Sequence, residues 1–243
     1  MKNINRIVLA IFALISTSVM ANLVQPLTAI SEDAPVRISI AGKSGIGPEA
    51  GTGKFGATGV GGGIALTHKA GYDFTYGIGV AYDWTSPMGR VFSQNSKAQE
   101  GNRIDAELSL GYMPELADRF NLGLNVAVGW GRQFGGAFAK ELNDSMKFGD
   151  LKIKVGPAFS WGISDSVSMY FAANYVLQNI RFGAKDKAKA TANWSGVDLP
   201  LGFSFAIGDN ASVFIEANSR FTNIAKGPKY FKEEATLGMT FAI

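Results

Sequence analysis

The sequence predicts an all-β chain, an up-and-down antiparallel transmembrane barrel of ten strands, with eight as the alternative count. Three observations carry that expectation. From Tyr72 to Trp84 every even position is aromatic or branched apolar, and the odd positions are Asp, Thr, Gly or Ala. That is a strand with two unlike faces. The small face is too poor in charge for an ordinary solvated surface, so the bulky face is expected to meet lipid. A strand in hydrocarbon must pair on both edges, because no water satisfies a free one, and it therefore demands a closed barrel. The second observation is that similar strands recur from residue 36 to residue 243. The third is that their connections alternate long and short, the layout of an outer-membrane barrel with short inner turns and long outer loops.

In chain order, residues 1–21 read as a secretory signal peptide: Lys2 and Arg6, the apolar run Ile7 to Ile15, and a small-residue cleavage site ending at Ala21. Residues 22–35 contain Pro26, do not alternate, and are expected to be a tail or a plug; 36–243 is the barrel. Val36, Ile38 and Ile40 begin strand one, and a Gly-rich loop is expected from Gly42 to Ala57. Within it Gly47 to Lys54 imitates a phosphate loop, but the spacing is off by one and Phe55 stands where Ser or Thr is needed. Val60, Ile64 and Leu66 mark strand two. His68 to Gly71 is a short turn into strand three, and Thr85 to Asn102 is a long loop.

Strand four alternates Ile104, Ala106, Leu108, Leu110 and Tyr112 outward with Arg103, Asp105, Glu107 and Ser109 inward. After a turn at Pro114 to Asp118, strand five points Phe120, Leu122, Leu124, Val126, Val128 and Trp130 outward. Beyond a long Arg132 to Phe148 segment, strand six has Leu151, Ile153, Val155, Pro157, Phe159 and Trp161 outside, with Lys152 and Lys154 inside. Pro157 strains the assignment, since it lacks an N–H for the ladder. Ser164 to Ser166 turns into strand seven (Val167, Met169, Phe171, Ala173, Tyr175), and Ile180 to Gly196 is long. Strand eight (Leu199 to Ile207) turns at Gly208 to Asn210 into strand nine (Val213, Ile215, Ala217, Phe221). A loop from Thr222 to Lys232 precedes strand ten, with Ala235, Leu237, Met239, Phe241 and Ile243 outward. Aromatics fall at two rims: Trp84 and Trp130 on the long-loop side, Tyr72, Tyr112, Phe120, Trp161 and Phe205 on the other.

Composition narrows the function classes. There is no Cys, so thiol chemistry and disulfides are excluded. Loss of residues 1–21 removes two of the 23 basic residues and no acid, leaving 21 against 20 acids, so net charge points to no partner. A lipocalin-like soluble barrel would bury the bulky faces and expose the Gly-rich ones, which lack the charge that keeps a sheet in solution.

In this layout the chain resembles the small outer-membrane barrels of Gram-negative bacteria, the OmpA, OmpX and opacity type with eight strands and the OpcA and omptin type with ten. The resemblance implies residence in the cell outer membrane, with lipid, lipopolysaccharide and the assembly machinery as partners. Such barrels usually end in Phe, whereas this chain ends Phe241-Ala242-Ile243.

Omptin-type barrels cleave with Asp and His at the outer rim, and barrel acyltransferases use Ser and His. The single His of this chain is His68, expected in an inner turn, which leaves the outer rim without an imidazole base. No enzyme, cofactor or metal site is expected, oxygen ligands being all that remain for a metal. Asp83, Asp105, Glu107, Lys152, Lys154, Arg220 and Glu234 instead form a candidate lumen charge network, expected to pair and to narrow or plug the lumen. Two long loops are basic: Arg181, Lys185, Lys187 and Lys189 in one, Lys226, Lys229 and Lys232 in the other. These are candidate contacts for a polyanion such as an acidic glycan of a host or the environment. The expected role is a non-enzymatic surface protein presenting loops for binding or adhesion, with a narrow solute channel and a structural protein as alternatives.

Overall fold

The computed structural model describes residues 36–48, 55–70, 73–84, 102–134, 147–183, 190–224 and 229–243. Its strands are β1 (Val36–Pro48), β2 (Phe55–Ala70), β3 (Phe74–Trp84), β4 (Asn102–Tyr112), β5 (Glu115–Ala117), β6 (Phe120–Phe134), β7 (Lys147–Gly162), β8 (Val167–Ala172), β9 (Asn174–Gly183), β10 (Ala190–Gly208), β11 (Ala211–Ile224) and β12 (Lys229–Ala242). β5 is a three-residue ladder inside a turn, and β8 and β9 are one wall strand interrupted at Ala173. Ten wall strands result, each antiparallel to its neighbours, and the β1–β12 pairing closes the ring.

The register fixes the dimensions. Directly paired residues run from Asp150 on β7 through Gly131, Asp105, Ala81, Gly63, Ala41, Gly238, Phe214, Ser204 and Ser168, and return to β7 at Gly162, twelve residues from the start. A stagger of twelve over ten strands tilts the strands by about 40°, within the range for membrane barrels. The two longest connections, 85–101 and 135–146, fall at the same end, which orients the barrel with the opposite end toward the periplasm.

The facing set is the one that alternation predicts. Ile78, Leu108, Val128 and Ile153 are exposed on the outside, while Thr75, Asp105, Ala127 and Lys154 are buried within. Outward aromatics recur near the periplasmic rim, where Tyr112 and Trp161 are exposed, and Trp130 is exposed near the opposite rim. Trp84's side chain and Tyr72 lie outside the described residues.

Four expectations need correction. The Gly42 to Ala57 segment is not a loop throughout: β1 and β2 pair as far as Pro48 and Phe55. Glycines on both strands erase the alternation that would reveal them, yet they leave the backbone free to pair. β6, β7, β9, β10, β11 and β12 likewise run into the segments expected to be long loops. His68 is not in a turn; it lies within β2 near its end, opposite Val36, and its ring stacks on Tyr76 with centroids 4.8 Å apart. Arg181, Lys229 and Lys232 belong to strands rather than loops. Residues 1–35 and the loop positions Lys185, Lys187, Lys189 and Lys226 lie outside the described residues.

Pro157 is accommodated by a local interruption. Ala158 pairs with Ala172 and Val155 with Tyr175, so Pro157 stands opposite Ala173. Ala173 N–H donates to the Pro157 carbonyl at 3.0 Å, and proline returns no bond. The freed Ala173 carbonyl leans over Gly156, where any Cβ would collide with it. Pairing resumes in the same register on both sides, which keeps every lumen residue below the break facing inward.

Candidate functional site: a filled lumen below a basic rim

The extracellular half of the lumen is filled by charged side chains from the wall itself. Arg103 on β4 donates from Nε and Nη2 to Asp105 Oδ2 and Oδ1 at 2.8 and 2.6 Å, and from Nη2 to Asp150 Oδ1 of β7 at 2.5 Å. Lys152 Nζ lies 3.9 Å from Asp105 and 3.7 Å from Asp150, which completes a neutral quartet. Gln178 of β9 also donates to Asp150. One turn of the pleat lower, Lys154 Nζ meets Glu107 Oε2 at 2.9 Å. On the opposite wall Arg220 of β11 grips Asp198 of β10 with two parallel bonds, Nε to Oδ1 at 2.5 Å and Nη2 to Oδ2 at 2.8 Å. Asp83, Glu216 and Glu234 are buried at neighbouring inward positions. Buried ions on this scale persist only when paired, because each unpaired one costs several kcal/mol of lost hydration, on the order of 3–5.

Small residues make room for these groups. The Arg103 guanidinium and both of its carboxylates lie over Gly131 of the intervening strand β6, where a Cβ would meet all three. Below the charges, two inward aromatics use the same device. Tyr170 lies over Gly202 and Phe214 over Gly238. Tyr170 Oη donates to Glu216 Oε2 at 2.6 Å and so joins the aromatic layer to the ionic one. Tyr170 is fully buried and Phe214 nearly so.

Beneath them the lumen widens into a cavity of about 500 Å³ at the periplasmic mouth, lined by hydroxyls of Thr75, Ser160, Ser168, Ser204, Ser212 and Thr240. The lumen is thus a polar cup facing the periplasm, an aromatic floor and an ionic plug.

Of the seven network positions read from the sequence, Asp105, Glu107, Lys152, Lys154 and Arg220 enter the ion pairs above, and Asp83 and Glu234 are buried beside them. Sequence reasoning missed Arg103, Asp150, Asp198, Glu216, Tyr170 and Phe214 as members of the filling. Parity would have found Glu216 and Phe214, which sit between the outward Val213, Ile215 and Ala217. Asp150 and Asp198 fall between the expected loops, which end at Phe148 and Gly196, and the first outward residues of their strands, Leu151 and Leu199, so alternation assigns a face to neither. Among the described residues no group of three His, Cys, Asp or Glu side chains is arranged to hold a metal.

A closed ring of ten tilted antiparallel strands, apolar outside and ion-filled within, is a transmembrane β-barrel of the bacterial outer-membrane class. No protein-family model matches the chain, and no curated protein does. Among solved structures it is similar to the outer membrane protease OmpT from Escherichia coli, with a TM-score of 0.52 and 10% identity over 88% of this chain and 99% of that one. It also matches the translocator domain of autotransporter NalP from Neisseria meningitidis, at TM-score 0.48 and 12% identity over 86% and 88% of the two chains. A third match is Neisserial surface protein A, at TM-score 0.44 and 10% identity over 86% and 97%. Identities this low establish the fold and nothing finer.

Proposed function

We infer that this is a non-enzymatic protein of the outer membrane whose working surface is its set of extracellular loops, which bind a polyanionic glycan. The ion-paired lumen is the observation that carries the reading: Asp105, Asp150, Lys152, Lys154 and Asp198 are all buried, which supports a lumen occupied, among the described residues, by the wall's own side chains. With transport through the barrel disfavoured, function falls to loops displayed on a rigid scaffold. Lys185, Lys187, Lys189 and Lys226 supply positive charge there, with Lys229, Lys232 and Arg181 at the strand ends beside them. Proteolysis is disfavoured because His68 lies at the periplasmic end of β2, a barrel's length from the rim. Export after cleavage at Ala21 and insertion by the assembly machinery belong to the same proposal.

The test compares cells carrying the wild type with cells in which Lys185, Lys187, Lys189, Lys226 and Lys229 are changed to Gln. Adhesion to sulfated glycan should fall and should weaken steeply as salt shortens the Debye length from about 10 to 3 Å. Unchanged adhesion with lost solute uptake would reject this reading in favour of a narrow channel.

A further inference from the structure

Below the aromatic floor, six side chains that line the cavity of about 500 Å³ form one belt around half of the lumen wall. Ser168 of β8 pairs directly with Ser204 of β10, and Ser212 of β11 pairs directly with Thr240 of β12. Diagonal steps join the rest. Ser204 lies opposite Phe214, two residues above Ser212, and Arg37 of β1 lies opposite Ala242, two residues below Thr240. Lys69 of β2 stands two residues below Thr67, the direct partner of Arg37. Diagonal neighbours of this kind are about 7–8 Å apart, within reach of long side chains.

The two ends of the belt differ in chemistry. Arg37 and Lys69, both half-buried, bring two positive charges to one corner of the cavity, and like charges so placed are stabilised by an anion between them. Among the described residues no carboxylate pairs with Lys69. The acids that line the cavity, Asp73, Glu115, Asp165 and Asp209, lie in the short turns at its mouth, and Asp165 is held by Arg119 at 2.6 Å. At the other end the hydroxyls of Ser168, Ser204 and Ser212 have no hydrogen-bond partner among the described residues, although Ser204 is buried. Unspent hydroxyls on a concave wall are ready to bond a ligand.

We propose that the periplasmic cup binds a small hydroxylated organic anion, a sugar phosphate or sugar acid, with its anionic group between Arg37 and Lys69 and its hydroxyls along Thr240, Ser212, Ser204 and Ser168. The volume suits such a ligand, since small-molecule sites occupy about 300–1,000 Å³. Arginine suits the anionic end, because its planar fork binds phosphate or carboxylate oxygens in pairs. Tyr170 and Phe214 close the cup above, so the ligand is held from the periplasm and not passed through the barrel. The site lies at the opposite end of the barrel from the loop lysines and is independent of them.

The experiment is calorimetric titration of the purified barrel in detergent with glucose 6-phosphate, glucuronate, glucose and inorganic phosphate. The two charged sugars should each bind at least tenfold more tightly than glucose, and glucose 6-phosphate more tightly than inorganic phosphate. Arg37→Gln and Lys69→Gln should each weaken the charged sugars about tenfold, the size of one charge-assisted contact. Lys69→Arg keeps the charge and should bind like wild type, which separates loss of the contact from loss of the fold. Ser204→Ala with Ser212→Ala should weaken glucose 6-phosphate and leave inorganic phosphate unchanged. The five-lysine loop variant should titrate like wild type, so this proposal and the glycan reading can fail separately. Charged sugars that bind no better than glucose, or that are indifferent to both Arg37→Gln and Lys69→Gln, would overturn the site. Inorganic phosphate binding as tightly as glucose 6-phosphate would overturn the part given to the serine hydroxyls.

Discussion

Changing Arg103 to Leu removes the centre of the Arg103, Asp105, Asp150 and Lys152 quartet. The quartet is neutral as it stands, and its guanidinium makes three bonds of 2.5 to 2.8 Å to two buried carboxylates. Without it, Asp105 and Asp150 share only the Lys152 ammonium at 3.9 and 3.7 Å, and one buried negative charge has no counterpart. Breaking such a pair costs about 3–5 kcal/mol, most of it the penalty of the stranded charge. Adding Asp150→Asn to Arg103→Leu restores neutrality and leaves Asp105 facing Lys152, so the double variant should recover about 2–3 kcal/mol of that loss. The assay is urea unfolding in lipid vesicles, followed by tryptophan fluorescence, with the slope compared to confirm that both states are unchanged. If Arg103→Leu costs less than about 1 kcal/mol, or the double variant is less stable than the single, then the quartet is hydrated and the plug described above is wrong.

Ile78→Arg places a charge on the exposed outer face of β3 and should cost about 2–4 kcal/mol near mid-membrane. Thr75→Ala on the inner face gives up one 3.3 Å bond to the Gly111 carbonyl and should cost about 1 kcal/mol; equal tolerance of the two would invert the facing assignment. Gly202→Ala should destabilise by about 1–3 kcal/mol by driving a methyl into the Tyr170 ring, and the same change in a Tyr170→Ala background should be close to neutral by urea titration. Purified wild type should give no steady conductance in planar bilayers, and large regular steps would show that the ionic plug does not seal the lumen.

Strand existence and facing were legible in the sequence wherever one face was bulky. β3, β4 and the membrane part of β6 alternate without exception, because lipid and lumen make opposite demands on successive side chains. Legibility failed where both faces are small or both polar. The upper parts of β1 and β2 consist largely of Gly, Ala, Ser and Thr, and their pairing is visible only once neighbouring strands fix the register. The lumen charges were legible as inward residues, but their partners were not. Arg103 binds Asp150 across an intervening strand, a relation set by the stagger of the barrel and not by any spacing along the chain.

That last geometry has a mechanical meaning. Arg103 to Asp150 and Glu107 to Lys154 both join β4 to β7 over the small residues of β6. In a flat sheet those two strands stand about 10 Å apart, and bending of the wall inward between them brings their inward side chains closer together. The bridges therefore act as tie-rods that reward curvature and penalise a wider hoop. A flatter sheet would hold both pairs farther apart, so part of their electrostatic gain accompanies the bending of the β4–β6–β7 wall into the ring.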